Sequence, residues 1–374
     1  MSFPVLQIGD LVAPKPIVQG GMGVGISLSG LASAVAREGG IGVIAAAMIG
    51  MREPDVAKNP IEANLRALRH EIRKAREAAG AGIIGVNVMV ALTLFAEQVR
   101  TAIEEKVDVV FSGAGLPFDL PRIFNETCER KKEELKTKLV PIVSSGRAAI
   151  VIAKKWLARH GRLPDAFVVE GPRAGGHLGF APEHIDDPEY ALDKLVPQLT
   201  EAVKPFEDKA GRPIPVIAGG GVYSGEDIAR CLDLGAAGVQ MGTRFVATHE
   251  CDADERFKQT YINARAEDVT IIKSPVGMPG RALTNGFIES MREGGKKPFK
   301  CVFKCLSTCD QHNVPYCIAS ALINAMKGNL ERGFAFCGAN VGRVDRIVSV
   351  HELMTQLQDE FDAFRARQAV AESM

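Results

Sequence analysis

Eight short apolar runs punctuate this 374-residue chain, and their pattern leaves few folds open. They are Ile17–Met22, Gly42–Ala47, Gly82–Val90, Val107–Gly115, Leu139–Ser145, Ala166–Gly171, Pro215–Gly221 and Gly238–Phe245. Each is apolar throughout rather than alternating, as strands covered on both faces are, and the segments between them carry Ala, Leu, Lys and Glu at helical spacing. Leu31–Arg37, Pro60–Ala79, Ala148–Arg159 and Ser224–Leu234 are the clearest helices. Eight alternations satisfy a closed parallel barrel, whereas a doubly wound open sheet more usually stops at about five or six strands. The predicted fold is α/β, a TIM barrel with a C-terminal appendage.

The length exceeds a bare barrel of about 250 residues. Residues 1–290 are assigned to the barrel, including a helix around Asp254–Ala266 and an extended loop, Ser274–Arg281, over the mouth. Residues 291–374 form a helical, cysteine-bearing appendage, whose last helix around His351–Arg367 packs on the barrel or on the second subunit of a homodimer.

Positive and negative side chains balance at 45 each, so no global field draws the chain to nucleic acid or an anionic membrane. Met1–Leu6 has no basic region followed by an apolar core, and no stretch reaches roughly 18 uninterrupted apolar residues. A soluble cytoplasmic protein acting on a small molecule is expected. Eight cysteines in such a protein are thiols or metal ligands rather than a disulfide framework.

Polar and glycine-rich residues cluster just after the strands, where a barrel keeps its catalytic groups. The most informative stretch is Glu170-Gly171-Pro172-Arg173-Ala174-Gly175-Gly176-His177-Leu178-Gly179. Gly176 lets the backbone approach a flat ligand, and an imidazole titrates near neutral pH, so His177 is a candidate for moving a proton. Gly219-Gly220-Gly221 and Gly242-Thr243 end the last two strands, the usual phosphate cradle of a barrel, and Ser224 is placed to cap the next helix. Glycines at one such site serve as turns equally well; two clusters on consecutive strands favour phosphate, with Gly220, Gly221, Gly242 and Thr243 as ligands. Gly21, Met22 and Asn87 end strands one and three and offer backbone donors and an amide to a planar heterocycle, since Asn87 in an apolar strand is costly unless paired.

Together, Gln19-Gly20-Gly21-Met22, Asn87-Val88, Ala174-Gly175-Gly176-His177, Ala218-Gly219-Gly220-Gly221 and Met241-Gly242-Thr243-Arg244-Phe245 resemble the nitronate monooxygenase family, formerly the 2-nitropropane dioxygenases. Its superfamily also holds the flavin-dependent enoyl-acyl-carrier-protein reductases of type II. The resemblance covers roughly residues 4–290. It implies an FMN-binding barrel with His177 beside the flavin as catalytic base and Gly21, Met22, Asn87, Gly176, Gly220, Gly221, Gly242 and Thr243 around the cofactor. It also leaves two chemistries open, oxidation of a nitronate with dioxygen or NAD(P)H-dependent reduction of an enoyl thioester, with a non-catalytic flavin-binding module as a third. An acidic acyl carrier protein would want a basic rim, for which Arg173, Arg244 and Lys273 are available; apolar Met22, Phe118 and Met278 suit a dry pocket.

Cys301, Cys305, Cys309, Cys317 and Cys337 match nothing in that family pattern. Four thiolates suit an iron–sulfur cluster or zinc. The spacing lacks the paired two-residue gaps of a zinc ribbon or ferredoxin run, so sequence alone favours free thiols. Cys128, Cys231 and Cys251 read as buried thiols.

Overall fold

Each apolar run supplies one barrel strand, in a computed structural model that describes residues 2–372. A short antiparallel hairpin, β1 (Leu6–Ile8) and β2 (Leu11–Ala13), precedes the barrel. The barrel strands are β3 (Ile17–Gln19), β4 (Ile41–Ala45), β5 (Ile83–Met89), β6 (Val109–Gly113), β7 (Lys138–Val143), β8 (Phe167–Glu170), β10 (Val216–Gly219) and β11 (Gly238–Met241), closed in parallel by pairing β11 with β3. The extra β9 (Gly176–His177) lies outside this ring.

Helices α1 (Ser29–Arg37), α2 (Pro60–Ala79), α3 (Phe95–Glu104), α4 (Leu120–Lys131), α5 (Gly146–His160), α6 (Leu192–Ala210) and α7 (Gly225–Asp233) follow successive strands. Ser224 caps α7 through a reciprocal capping box with Asp227, and Ser145 caps α5. Alternation along the strands divides the core. Val18, Ile41, Val43, Val109, Phe111, Val140, Val168 and Ile217 fill the barrel interior, which Leu6, Ile8 and Ala13 plug from below. The neighbouring Phe167, Val169, Val86, Val88, Val239 and Met241 face the helices.

Three segments differ from their sequence reading. The run Gly238–Phe245 divides into β11 and the short helix α8 (Thr243–Val246), and α9 occupies Glu255–Ile262. Residues expected as an extended loop form a hairpin instead: β12 (Val269–Lys273) pairs with β13 (Pro279–Leu283), and β13 pairs with β9. After α10 (Gly286–Arg292) come an irregular stretch, α11 (Ile318–Met326), and finally α12 (Val350–Glu372), which packs on α7 and α1. No helix among the described residues is long and apolar enough to cross a membrane.

Candidate active site

Strand alternation carries chemistry to the mouth. Val168 points into the barrel, so Glu170, two residues on, is the next inward position; the same count from Gly85 and Gly238 brings Asn87 and Gln240 inward. These three line one cavity of about 280 Å³ at the C-terminal ends of the strands. None of their side chains has a hydrogen-bond partner within the described residues, which leaves all three half-buried polar groups free to meet a ligand in the cavity.

All nine residues singled out from sequence, Gly21, Met22, Asn87, Gly176, His177, Gly220, Gly221, Gly242 and Thr243, line this same cavity. At one end, the N–H groups of Gly220, Gly221, Gly242 and Thr243 find no acceptor among the described residues. Asn340 braces that end, donating through Nδ2 to Gly221 O (2.6 Å) and accepting from Arg173 Nη2 (3.1 Å). Thr243 Oγ1 accepts the Gly338 N–H at 2.9 Å. Unsatisfied donors beside bare glycine backbone suit the terminal phosphate of a flavin nucleotide, and the orphan amides of Asn87 and Gln240 suit the polar edge of its ring.

At the other end, β9 hangs His177 on β13, with its backbone paired to Gly280. Its Nε2 lies 2.7 Å from Ser274 Oγ, and its ring meets Phe336 edge-on at 5.0 Å. Burial pushes the imidazole down to about 4, so it is uncharged at neutral pH. The buried Arg281 holds the preceding loop by donating to Pro172 O (2.7 Å) and Ala174 O (3.2 Å).

Several expected neighbours stand elsewhere. Phe118 lies under Lys155 Nζ, packed against the helix layer, and Met278 is in the hairpin turn, so neither lines the cavity; Met22, Met89, Ile142, Leu322 and Phe336 supply its apolar walls. Arg244 is buried and donates to Tyr223 O and Gln356, which removes it from any basic rim. Glu170, Gln240, Ser274, Gly338 and Asn340 are site residues that sequence reading did not single out.

Glu170 yields a prediction of its own. Burial raises its carboxyl to about 7 from an ordinary 4.5. Between those values the folded chain binds more protons than the unfolded one, so stability from this group is lost as pH rises through the window. His177, depressed by burial, works in the opposite direction between about 4 and its ordinary 6.5. The difference between wild type and Glu170→Gln isolates the carboxyl. The ligand-free variant should be more stable by on the order of 2 kcal/mol above about pH 7 and no more stable below about pH 4.5, read by denaturant unfolding.

A closed parallel barrel with a glycine cradle after its last two strands, unpaired amides on its floor and an uncharged imidazole at its mouth defines a flavin-dependent oxidoreductase. The comparisons agree: the family model for nitronate monooxygenase matches residues 8–360. The chain belongs to the nitronate monooxygenase family. It is 28% identical over 314 residues to a probable nitronate monooxygenase of Staphylococcus aureus, covering 74% of this chain and 78% of that one. It is 30% identical to the (3aS,4S,5R,7aS)-5-hydroxy-7a-methyl-1-oxo-octahydro-1H-indene-4-carboxyl-CoA dehydrogenase of Mycobacterium tuberculosis. That match covers 75% of this chain and 66% of that enzyme, just under two thirds of its length. Among solved structures, FabK from Thermotoga maritima superposes with a TM-score of 0.70 at 28% identity, covering 96% of both chains.

Proposed function

We propose that this protein is an FMN-dependent nitronate monooxygenase, converting a nitronate or nitroalkane and dioxygen to a carbonyl compound and nitrite. The observation that carries the reading is the single uncharged imidazole, His177, fixed by Ser274 over an apolar-walled cavity whose far end offers free backbone donors. One glycine cradle at the ends of β10 and β11 fits the single phosphate of FMN. When bound, FMN supplies the electron acceptor.

The chain's own residues supply the rest. With Nε2–H donating to Ser274 Oγ, His177 keeps the Nδ1 lone pair for a substrate proton. As the nitroalkane Cα–H bond breaks, the proton passes to Nδ1 and the electron pair enters the C=N bond. The resulting imidazolium and nitronate stabilise each other where Met22, Ile142 and Phe336 exclude water. A substrate that arrives already as the nitronate meets the same imidazole as a hydrogen-bonding partner.

Ser274 is a positioning residue in this scheme. Ser274→Ala should lower kcat/KM by about fivefold, the value of one hydrogen bond, with flavin content unchanged in steady-state assays. The wider reading is tested by anaerobic titration of the flavin spectrum. Bleaching by an alkyl nitronate alone is the expected result; bleaching only by NAD(P)H overturns it.

That second outcome is the alternative, an NAD(P)H-dependent reductase of the enoyl-acyl-carrier-protein reductase II type. It draws support from the whole-length likeness to FabK and from the carboxyl-CoA relative. Arg173 and Lys273 remain exposed near the mouth for an anionic thioester carrier.

A further inference from the structure

Beside the glycine cradle lies a second cavity, of about 250 Å³, which has only Tyr223 in common with the first. It opens between the turn after β10, the helix α8 and the segment that leads into α12. Its wall carries three guanidinium groups, those of Arg244, Arg343 and Arg346, against one carboxylate, that of Asp345. Cations gathered at one cavity repel each other and give up part of their hydration, so the arrangement is costly unless an anion joins them.

Tyr223 holds two of the three in place. The guanidinium carbons of Arg244 and Arg343 lie 4.5 Å and 4.1 Å from the centroid of its ring. The ring is itself fixed, because Tyr223 Oη–H donates to Arg343 O at 2.6 Å and Tyr223 N–H donates to Asp227 Oδ2 at 3.0 Å.

These arginines keep donors in reserve. Arg244 is only 9% exposed, yet it donates just twice, from Nη1 to Tyr223 O at 3.1 Å and from Nη2 to Gln356 Oε1 at 2.9 Å. A guanidinium carries five N–H donors, and the others of Arg244 find no acceptor among the described residues. The side chain of Arg343 donates no hydrogen bond among the described residues. The carboxylate it faces, Asp227, stands 3.9 Å away and already accepts the backbone N–H groups of Tyr223 and Ser224. Arg346 faces Glu352 at 3.2 Å, but both side chains are at least half exposed, and such a surface pair is readily exchanged for a better partner.

The donor set indicates the ligand. Guanidinium forks match the geometry of phosphate oxygens, and three of them match a phosphate group better than a carboxylate, which has only two oxygens to share. A volume close to that of the flavin cavity leaves room for a small organic group beyond the phosphate, against the apolar walls of Ala247, Val344 and Val348.

We propose that this cavity is a second anion site, separate from the flavin cradle, in which Arg244, Arg343 and Arg346 bind the phosphate group of free phosphate or of a small phosphate monoester.

The test is equilibrium dialysis of the flavin-loaded, full-length protein, whose glycine cradle is filled, against radiolabelled inorganic phosphate and, separately, radiolabelled ribose 5-phosphate. One site per chain should fill with a Kd of about 1 mM or below. Arg343→Gln and Arg346→Gln should each weaken binding by about 10-fold or more, the value of one charge-assisted hydrogen bond. Both side chains stand at the surface, so circular dichroism and flavin content should stay at the wild-type level. Arg343→Lys, which keeps the charge without the fork, should restore only part of the loss. Tighter binding of ribose 5-phosphate assigns the site to a phosphate monoester, and equal or weaker binding assigns it to free phosphate; either result supports the site. No binding of either probe up to about 10 mM overturns the proposal. Binding that both glutamine variants leave intact overturns it too, and if Gly220→Ala then removes that binding, the phosphate belongs to the glycine cradle. Because binding is read without turnover, the result is independent of the nitronate reading.

Discussion

Replacing His177 by alanine should leave one flavin per chain and lower kcat/KM for a nitroalkane by about 100-fold to 10,000-fold, the span of a positioned general base. Flavin retention is expected because His177 sits on β9, away from the donors of Gly220, Gly221, Gly242 and Thr243, and because β9 is held to β13 by backbone bonds that alanine preserves. The loss is expected because the cavity offers no second uncharged base: Glu170, pushed up to about 7, is largely protonated below neutrality. The pH profile separates chemistry from packing. In wild type, kcat/KM should rise through about pH 4 as His177 loses its proton, and that limb should vanish in the variant. A variant with intact turnover, or with the low-pH limb still present, removes His177 from the reaction.

The barrel was legible because its signal is repeated. Each apolar run is ambiguous between strand and buried helix, but eight of them at near-regular spacing admit one closed sheet. Where a run had to be divided, apolarity gave no guidance: Met241 ends a strand and Phe245 belongs to a helix turn, yet both are buried. The hairpin of β12 and β13 was hidden for a related reason. Pro275, Gly277, Pro279 and Gly280 read as loop punctuation, whereas the turn is tied by Ser274 N–H to Met278 O and Pro279 opens the returning strand.

The site divides along the same line. Residues with a local signature were within reach: glycines after strands, and a histidine framed by glycine. Glu170 stood inside a motif and Gln240 inside the run Gly238–Phe245, and both carried a usable signal, since counting by two from inward Val168 or Gly238 turns both toward the mouth. Ser274, Gly338 and Asn340 carried none. Asn340 reaches Gly221 across 119 positions of sequence and Ser274 reaches His177 across 97, contacts that only tertiary folding creates.

Gly220→Ala should produce a folded barrel that binds flavin roughly 10-fold to 100-fold more weakly. Gly220 has φ +93°, where a side chain is strained by about 1–2 kcal/mol. Its Cβ would also fall 2.6 Å from Gly171 O and 3.0 Å from Gly171 N, and both are backbone atoms that no rotamer change can move aside. Relief requires the cradle and the loop after β8 to separate, which shifts the free N–H groups of Gly220 and Gly221 off a phosphate they would otherwise share. A displacement worth about 1.4–2.8 kcal/mol is the stated loss in affinity. Gly286→Ala provides the control, since a Cβ there meets nothing within 4 Å and leaves the cavity untouched. Flavin retained through gel filtration, with the released fraction read by fluorescence, distinguishes the two. Wild-type retention in Gly220→Ala would move the phosphate away from the end of β10, and the orientation assigned to the ring, with Asn87 and Gln240 at its polar edge, would have to move with it.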